Sequence, residues 1–386
     1  MIKFIKLFSV RLLMLFNVLV ALLFIACCLA PRMHPQDWWF TGFLGLFFPY
    51  LFVFIFLFFI LWLFIRPSLS LFSLFVLVAG VIPFSVHYSF HMNTDFDVEK
   101  HESLRVMSWN VRHFVPFDEY FFNENKVENQ RLVFDELKKY NPDIICFQEF
   151  ISIPSLGKSN PISYLKHELG YKYVQFSGED IYNGGERTGI AIFSRLPIVD
   201  KGEISFPVST EGSAESTAFV DVKYQDDTLR IYSVHLQSFG FGNREYKVID
   251  ELNNDAGYDK TESIHLLKKM RNTFYWHGVQ SDFISSEIKK SPHPVILAGD
   301  LNDVPNSYAY ATLKGDMKDG FLEKGSGIGS TFTSATSSIL RLLPTLRIDY
   351  IFSDKMFTPL QFIKAGEGIS DHAFLISDYS FRNTNK

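Results

Sequence analysis

The chain has 386 residues, more than one small core requires, which suggests two or three units. Residues 1–91 hold five Lys and Arg and one Asp, a net charge of +4, which leaves −9 for residues 92–386 within the total of −5. An acidic C-terminal part is a poor nonspecific binder of DNA or RNA, although bound metal still allows a polyanionic substrate. The three cysteines form no plausible disulfide and therefore indicate no compartment.

Long apolar runs fill the first 90 residues and predict a membrane anchor over residues 1–91, with spans at 12–30, 38–65 and 68–90. The third run is the weakest, because Gly80 and Pro83 interrupt it. Interfacial aromatics belong near the ends of a span, and the second run has three there: Trp38, Trp39 and Trp62. Two spans are an alternative to three, whereas a cleaved signal peptide would account for the first run only.

The basic residues that precede the first run predict a cytoplasmic N-terminus: Lys3, Lys6 and Arg11. Three spans then put the rest of the chain outside the cytoplasm, in the periplasm or exterior of a bacterium or in a eukaryotic lumen. Two spans would put it on the other side. Residues 92–103 are polar and are interpreted as a linker to a catalytic domain at 104–386.

Strand and helix patterns alternate through residues 104–381. The predicted helices are 126–140 and 262–290, and the predicted strands are 104–111, 143–150, 188–199, 214–224, 229–238, 293–303, 347–353 and 372–381. The Gly-rich, charged residues 239–262 are interpreted as a long loop or insertion. Several strands are joined by hairpins, so we expect an α/β domain with two mixed sheets packed face to face and helices outside.

Polar side chains recur where these apolar strands end: Asn110, Gln148, Glu149, His235, Asp300, Asn302, Asp303, Asp349, Ser370, Asp371 and His372. Strand ends in α/β domains converge on one rim, so these groups are expected to meet at one site. Taken alone, an Asn or Glu there is usually a turn former or solvated, and a lone His is usually structural. Asp349 is harder to dismiss, because a carboxylate inside an apolar strand costs several kcal/mol unless it is paired.

This set of carboxylates, amides and histidines contains no Cys ligand and no Ser-centred nucleophile elbow. Oxygen-rich ligands favour hard cations such as Mg²⁺, Mn²⁺ or Ca²⁺ over zinc. Hydrolysis of a phosphate ester needs an in-line water, a base that orients it, and positive charge on the nonbridging oxygens. Carboxylates, an Asp–His pair and a metal supply all three.

Seven segments, in order, resemble the motifs of the endonuclease/exonuclease/phosphatase superfamily: VMSWNV, CFQE, GIAIFSRLP, SVHLQS, GDLND, RIDYIF and SDH. That family includes DNase I-like nucleases, exonuclease III-like repair enzymes, inositol polyphosphate 5-phosphatases and neutral sphingomyelinases. The resemblance covers about residues 104–381. It implies a four-layer α/β/β/α sandwich, a Mg²⁺ cofactor with Mn²⁺ as an alternative, and cleavage of a phosphate ester.

The resemblance also implies roles for individual residues. Metal ligands would be Asn110, Glu149 and Asp371, with Glu149 the principal one. Catalytic residues would be His235, Asp300, Asn302, Asp349 and His372: Asp300 orients or deprotonates water, Asn302 holds the phosphate or that water, and Asp349 fixes the tautomer of His372. His372 would contact the phosphate or act as a base. Arg195 would bind substrate or have a structural role.

The substrate does not follow from the resemblance. The anchor and the acidic domain favour a phosphodiesterase or phosphatase acting on lipid head groups or small phosphoesters. The alternatives are a membrane-tethered nuclease and a non-catalytic binding module on the same fold. The sequence indicates a lipid bilayer as a partner, through the N-terminal helices, and allows no protein partner to be inferred.

Overall fold

A computed structural model describes residues 2–91, 95–99, 102–115, 126–181, 185–206, 216–251, 260–333 and 344–382. Several sequence interpretations extend beyond these ranges. Residues 92–94 and 100–101 of the predicted linker, 214–215 of a predicted strand and 252–259 of the predicted loop lie outside the described residues.

The described helices are α1 (Ile2–Leu29), α2 (Thr41–Ile65), α3 (Pro67–Ala79), α4 (Val81–Ser85), α5 (Lys126–Tyr140), α6 (Pro161–His167), α7 (Asn243–Glu251), α8 (Lys260–Ile288), α9 (Tyr308–Lys314) and α10 (Gly320–Lys324). The described strands are β1 (Ser89–Phe90), β2 (Leu104–Asn110), β3 (Ile144–Ser152), β4 (Tyr173–Ile181), β5 (Arg187–Ser194), β6 (Ile198–Ile204), β7 (Thr217–Tyr224), β8 (Asp227–His235), β9 (Val295–Asp300), β10 (Lys318–Asp319), β11 (Ser326–Gly327), β12 (Asp349–Ser353), β13 (Phe357–Ala365) and β14 (Phe374–Phe381).

Two six-stranded sheets form the centre of the C-terminal domain, in the orders β13-β14-β2-β3-β5-β4 and β10-β12-β9-β8-β7-β6. Their facing sides share one buried core, in which Val106 and Ile190 of the first sheet pack with Val220 and Ile296 of the second. Aliphatic and β-branched side chains on these faces favour strands and exclude water from the interface.

The outer face of each sheet is covered by helices. Met107 and Phe147 of the first sheet pack with Leu137 of α5, and Leu297 of the second packs with Ile284 of α8. The domain therefore has four layers in the order α/β/β/α, as predicted.

The N-terminal helices form an antiparallel bundle with its own core. Phe16 meets Phe58 at 5.7 Å between ring centroids, and Phe24 meets Phe48 at 5.3 Å, so α1 and α2 run in opposite directions. Chain segments Ser9–Arg32 and Thr41–Ile65 are long and apolar enough to cross a membrane.

The third apolar run is not one continuous helix. The 13 residues of α3 span roughly 20 Å, and Gly80 separates them from α4. The run nevertheless returns along α2, because Phe84 stacks on Phe52 at 4.4 Å between centroids and His87 stacks on Phe48 at 5.0 Å. It thereby enters the C-terminal domain at the same end of the bundle as the α1–α2 connection.

The bundle contacts the C-terminal domain directly at that end. The buried Asn306 side-chain amide donates to the Cys27 carbonyl oxygen at 2.8 Å. His34 and Asp282 approach to 3.1 Å, and the Tyr50 and Thr345 hydroxyls lie 2.9 Å apart. The N-terminal bundle and the C-terminal domain therefore share a specific interface in addition to their covalent link.

Some predicted elements differ from those observed. The run 188–199 is two strands, β5 and β6, which belong to different sheets. Strands β4 and β13 were not predicted. The predicted loop 239–262 contains α7 and the first turn of α8.

Candidate active site

The predicted site residues gather at one rim because two parallel strand pairs end there. In the first sheet β2 runs parallel to β3, with Asn110 opposite Gln148; in the second β8 runs parallel to β9, with His235 opposite Asp300. The carboxyl ends of parallel neighbours lie at the same edge of a sheet. Asp349 begins β12 directly opposite Asp300, because that strand is antiparallel to β9.

Asn110 joins the two sheets at this rim. Its side-chain nitrogen donates to Glu149 Oε1 at 3.1 Å and to Asp300 Oδ2 at 3.1 Å. Its oxygen accepts from the Arg112 backbone N–H at 3.1 Å. In this orientation Asn110 is a hydrogen-bond donor to two carboxylates. Coordination of a metal through Oδ1, as predicted, requires the amide to be turned over.

The backbone is strained around the site. Glu149 has a φ of 49° and lies where the pairing of β3 with β5 shifts register between Phe147 and Phe150. Asn302, with a φ of 48°, and His113, with a φ of 55°, are also left-handed without being glycine. Such conformations cost about 1–3 kcal/mol each and concentrate at functional sites. At Glu149 the bulge aims a carboxylate at the rim.

His235 carries the one buried ring nitrogen at the rim that has no hydrogen-bond partner among the described residues. This Nε2 lies 3.9 Å from Glu149 Oε1 and 3.8 Å from Asp300 Oδ2. Both distances are too long for direct hydrogen bonds. A buried polar atom without a partner costs free energy, so His235 is set to bind a group that lies between these carboxylates.

Asp349 and His372 form a buried dyad. His372 Nδ1 lies 3.0 Å from Asp349 Oδ2 and 3.2 Å from Asp349 Oδ1. The Trp109 indole N–H donates to the His372 carbonyl oxygen at 3.0 Å, and the Thr331 hydroxyl accepts from the Asp349 backbone N–H at 3.1 Å. The dyad leaves the Nε2 edge of His372 to face the site.

The charged groups at the rim shift one another's pKa values. Burial acts to lower the pKa of His372, but Asp349 and Asp300 outweigh it and hold that pKa well above the usual histidine value. Burial and the Asp349 charge raise the pKa of Asp300 to about 6. For Glu149, burial acts to raise the pKa, yet His113, His235 and the Asn110 hydrogen bond together hold it below the usual value.

Asn302 and Asp371 complete the rim. The Asn302 backbone N–H donates to Asp300 Oδ1 at 2.8 Å, and its side-chain nitrogen donates to the Leu236 carbonyl oxygen at 3.0 Å. Asp371 lies 3.4 Å from the Arg112 guanidinium. Five of the polar residues expected at the site line one cavity of about 520 Å³: Glu149, Asn302, Asp303, Asp371 and His372.

Two positions in the site offer metal ligands. Asp300, Asp349 and His372 present three ligand atoms within 4.8 Å of one another, but all three side chains are buried and His372 Nδ1 is engaged by Asp349. Glu149 and Asp371 are partly exposed and line the open cavity. A hard cation such as Mg²⁺ keeps several waters, so the donor set at Glu149 and Asp371 fits it better than the buried cluster does.

Arg195 is not brought to this site. It follows β5, which is antiparallel to β3 with Ser194 opposite Ile144, at the other end of the sheet from Glu149. Glu149 is five residue steps along the strand from Ile144, a distance of roughly 16 Å. The Arg195 guanidinium lies 4.7 Å from the centre of the Tyr171 ring. These contacts fit the structural role that was the alternative for this residue.

Three residues near the site were not predicted. Arg112 and His113 follow β2 and approach Asp371 and Glu149, at 3.4 Å and 3.6 Å. Their position two and three residues after Asn110 was the available signal. His277 of α8 is buried, 3.2 Å from Asp303 and 2.8 Å from the Gln237 carbonyl oxygen. No local pattern in the helix distinguishes it.

Two family models match the chain. Residues 107–372 match the model described as Endonuclease/Exonuclease/phosphatase family. Residues 10–87 match a model described as Domain of unknown function (DUF8431). No curated protein matches this chain.

Solved structures are similar to 72–73% of this chain. An endonuclease/exonuclease/phosphatase from Beutenbergia cavernae DSM 12333 has a TM-score of 0.52 and 19% identity, over 73% of this chain and 72% of its own. A D. rerio TDP2 complexed with single strand DNA product has a TM-score of 0.48 and 20% identity, over 72% and 100%. Sphingomyelinase C from Streptomyces griseocarneus has a TM-score of 0.46 and 17% identity, over 72% and 100%.

Proposed function

Because this chain belongs to the endonuclease/exonuclease/phosphatase family, whose members hydrolyse phosphoester bonds, we propose that it is a membrane-tethered hydrolase of phosphate esters that uses Mg²⁺, with Mn²⁺ as an alternative. One observation carries the proposal. Side chains from both sheets meet at a single rim, where Asn110 bonds to Glu149 and Asp300 and the Asp349–His372 dyad lies beside them.

The metal would be held by Glu149 and Asp371, with Asn110 once its amide is turned over. The unpartnered His235 nitrogen supports a bound group beside Glu149, because it lies 3.9 Å from the Glu149 carboxylate and 3.8 Å from that of Asp300, too far for direct hydrogen bonds. When bound, the cation supplies positive charge to the nonbridging oxygens of the phosphate.

The protein's own groups supply the proton transfers. Asp300 takes a proton from the attacking water, and its pKa of about 6 suits a base that works near neutral pH. The water oxygen bonds to phosphorus as the bond from phosphorus to the leaving oxygen breaks. His372, held protonated by Asp349, gives its proton to that leaving oxygen. Asn302 has one side-chain N–H on Leu236 and a second one available to hold the phosphate.

The N-terminal bundle is the proposed tether. Its two long helices expose much of their apolar surface, unlike the core helix of a soluble protein. The C-terminal domain contacts the bundle at the α1–α2 connection, the end opposite the basic N-terminus. With Lys3, Lys6 and Arg11 in the cytoplasm, this contact supports an extracytoplasmic domain and an odd number of crossings.

The test is hydrolysis by the purified full-length chain in a maltoside detergent with Mg²⁺. The substrates are 4-nitrophenyl ethyl phosphate, 4-nitrophenyl phosphate, plasmid DNA, single-stranded RNA, sphingomyelin and phosphatidylinositol phosphates. Glu149→Gln is the blank, and Glu128→Gln, an exposed glutamate on α5, is the matched control.

We expect turnover that EDTA abolishes and Mg²⁺ or Mn²⁺ restores, with Glu149→Gln reduced by several orders of magnitude and Glu128→Gln unchanged. Turnover that survives chelation would show that hydrolysis does not depend on a metal ion. Cleavage of nucleic acid alone would make the chain a tethered nuclease. A folded protein that cleaves none of these substrates would support the non-catalytic alternative.

A further inference from the structure

An apolar chamber adjoins the catalytic rim. It is the cavity of about 520 Å³ that Glu149, Asn302, Asp371 and His372 line at one end. Most of its other lining is hydrocarbon, contributed by α2, the segment 239–246, α8 and the residues around Leu346. Its size lies within the range of about 300–1,000 Å³ that is usual for pockets enclosing a small ligand. Nothing in the proposed hydrolysis of a phosphate requires these apolar walls.

One wall of the chamber is a predicted membrane helix. Phe43, Leu46, Phe47 and Tyr50 of α2 line the cavity together with the catalytic residues. This part of α2 lies against the domain at close range.

Two glycines on α2 permit that approach. A Cβ on Gly42 would meet the Phe274 ring of α8 at 2.2 Å, and one on Gly45 would meet the Asn306 carbonyl oxygen at 3.0 Å. The wall is therefore fixed by close packing of α2 on the domain.

The same face of α2 continues away from the domain as an apolar stripe. Phe47, Tyr50, Phe54, Leu57 and Leu61 follow one another at intervals of three or four residues, the spacing of a single helix face. Phe47, Phe54 and Leu57 each leave about half of their surface exposed. The stripe runs roughly 21 Å from residue 47 to residue 61 and joins the chamber to the part of α2 proposed to lie in the bilayer.

We infer that the substrate is an amphiphilic phosphoester of the membrane, whose hydrocarbon chain lies in this chamber along α2 while its phosphate lies at Glu149 and His372. The inference rests on the proposed hydrolase function and adds the class of substrate. Two observations select a hydrocarbon chain as the occupant. The cavity is continuous with the catalytic rim, and its wall is continuous with an exposed apolar stripe.

A polynucleotide is the competing occupant, and the charges disfavour it. Arg112 is the one Lys or Arg that lines the cavity within the described residues, and its guanidinium already faces Asp371. Residues 92–386 carry a net charge of −9. Binding along a phosphate backbone needs several cations that neutralise it.

The test compares two diesters that have the same leaving group and differ only in chain length: 4-nitrophenyl ethyl phosphate and 4-nitrophenyl hexadecyl phosphate. The enzyme is the full-length chain in maltoside micelles. Leu46→Trp fills the chamber beside α2. Leu63→Trp is the matched control, since it makes the same change at an exposed position on a different face of the same helix.

We expect the wild-type protein to prefer the hexadecyl diester at least tenfold in kcat/KM. Leu46→Trp should reduce that preference at least tenfold, and Leu63→Trp should leave it unchanged. Equal kcat/KM for the two diesters, or a preference that Leu46→Trp does not alter, would refute the proposal that the chamber holds the hydrocarbon chain. The proposed hydrolase function would be unaffected. A preference for DNA or RNA over both diesters would also overturn it.

A second readout does not depend on turnover. A hexadecyl phosphonate with a diazirine at the end of its chain, photolysed with the full-length chain, should label the peptides that contain Phe43–Tyr50 and Met270–Phe274. Excess unlabelled hexadecyl phosphonate should suppress the labelling, and ethyl phosphonate should not. Labelling suppressed in Leu46→Trp and retained in Leu63→Trp supports the chamber even if the proposed hydrolysis fails. Labelling that is equal in the two variants refutes it.

Discussion

Replacing Asp349 with Asn tests the buried dyad with little change of shape. Asp349 is almost fully buried and holds His372 Nδ1 through both carboxylate oxygens, at 3.0 Å and 3.2 Å. Asn keeps one oxygen in place and removes the charge. A charge-assisted hydrogen bond contributes about 1.5–3 kcal/mol. Since each 1.36 kcal/mol is a factor of ten in rate, kcat should fall about 10- to 150-fold.

The assay is hydrolysis of 4-nitrophenyl ethyl phosphate by the full-length chain, followed at several Mg²⁺ concentrations. Asp316→Asn is the matched control, because that side chain is 94% exposed and its ion pair with Lys355 is on the surface. We expect Asp316→Asn to match the wild type. The concentration of Mg²⁺ that gives half-maximal activity should be the same in all three proteins, because the proposed metal ligands are unchanged.

A double variant separates the dyad from two independent effects. Asp349 acts mainly through His372, and its charge also raises the pKa of Asp300. At a pH well above 6, where Asp300 is ionised with or without that charge, Asp349→Asn should add little to the loss caused by His372→Ala, which we expect to be several orders of magnitude. Losses that multiply in the double variant would refute the positioning role. A large rise in the Mg²⁺ requirement of Asp349→Asn would instead identify Asp300, Asp349 and His372 as the metal site.

Three further predictions concern the fold and its orientation. Arg195→Ala should leave kcat/KM unchanged and lower the free energy of unfolding by about 1 kcal/mol, the value of a cation–π contact. A loss of activity without a loss of stability would show that Arg195 binds substrate. Gly45→Leu should destabilise the fold by about 1–3 kcal/mol, because its Cβ meets the Asn306 carbonyl oxygen, and should therefore lower the thermal midpoint of unfolding in detergent. An unchanged midpoint would mean that α2 does not pack there. A reporter fused to the C-terminus should be active only outside the cytoplasm, and activity restricted to the cytoplasm would overturn the proposed sidedness.

The rim was predictable because its residues follow strands with clear apolar patterns. Asn110, Glu149 and Asp300 each end such a run, and parallel pairing of the strands brings their ends together. Arg195 also ends an apolar run, yet β5 is antiparallel to β3 and its end lies at the opposite edge. The direction of a strand within its sheet is set by tertiary contacts, and a local pattern does not contain it.

The elements that were missed have the same explanation. Residues 188–199 form one apolar run in the sequence, but the chain leaves the first sheet after Ser194 and enters the second at Ile198. Pro197 was the signal for that break, because proline interrupts a ladder of backbone hydrogen bonds. Strand β4 follows no strict alternation and is held by its long pairing with β5, which only the folded sheet supplies.

The chamber lay beyond sequence reasoning for a different reason. Thr41–Ile65 is apolar on every side, so its composition predicts a membrane helix and does not distinguish the face that meets lipid from the faces that meet protein. The structure assigns one face to α1 and, at Gly42 and Gly45, another to the catalytic domain. A fragment that begins after residue 91 would lose this wall and expose the Phe274 ring that packs on it. The N-terminal bundle is therefore a structural part of the cavity beside the candidate active site, and activity of the C-terminal domain alone would understate how the chain selects its substrate.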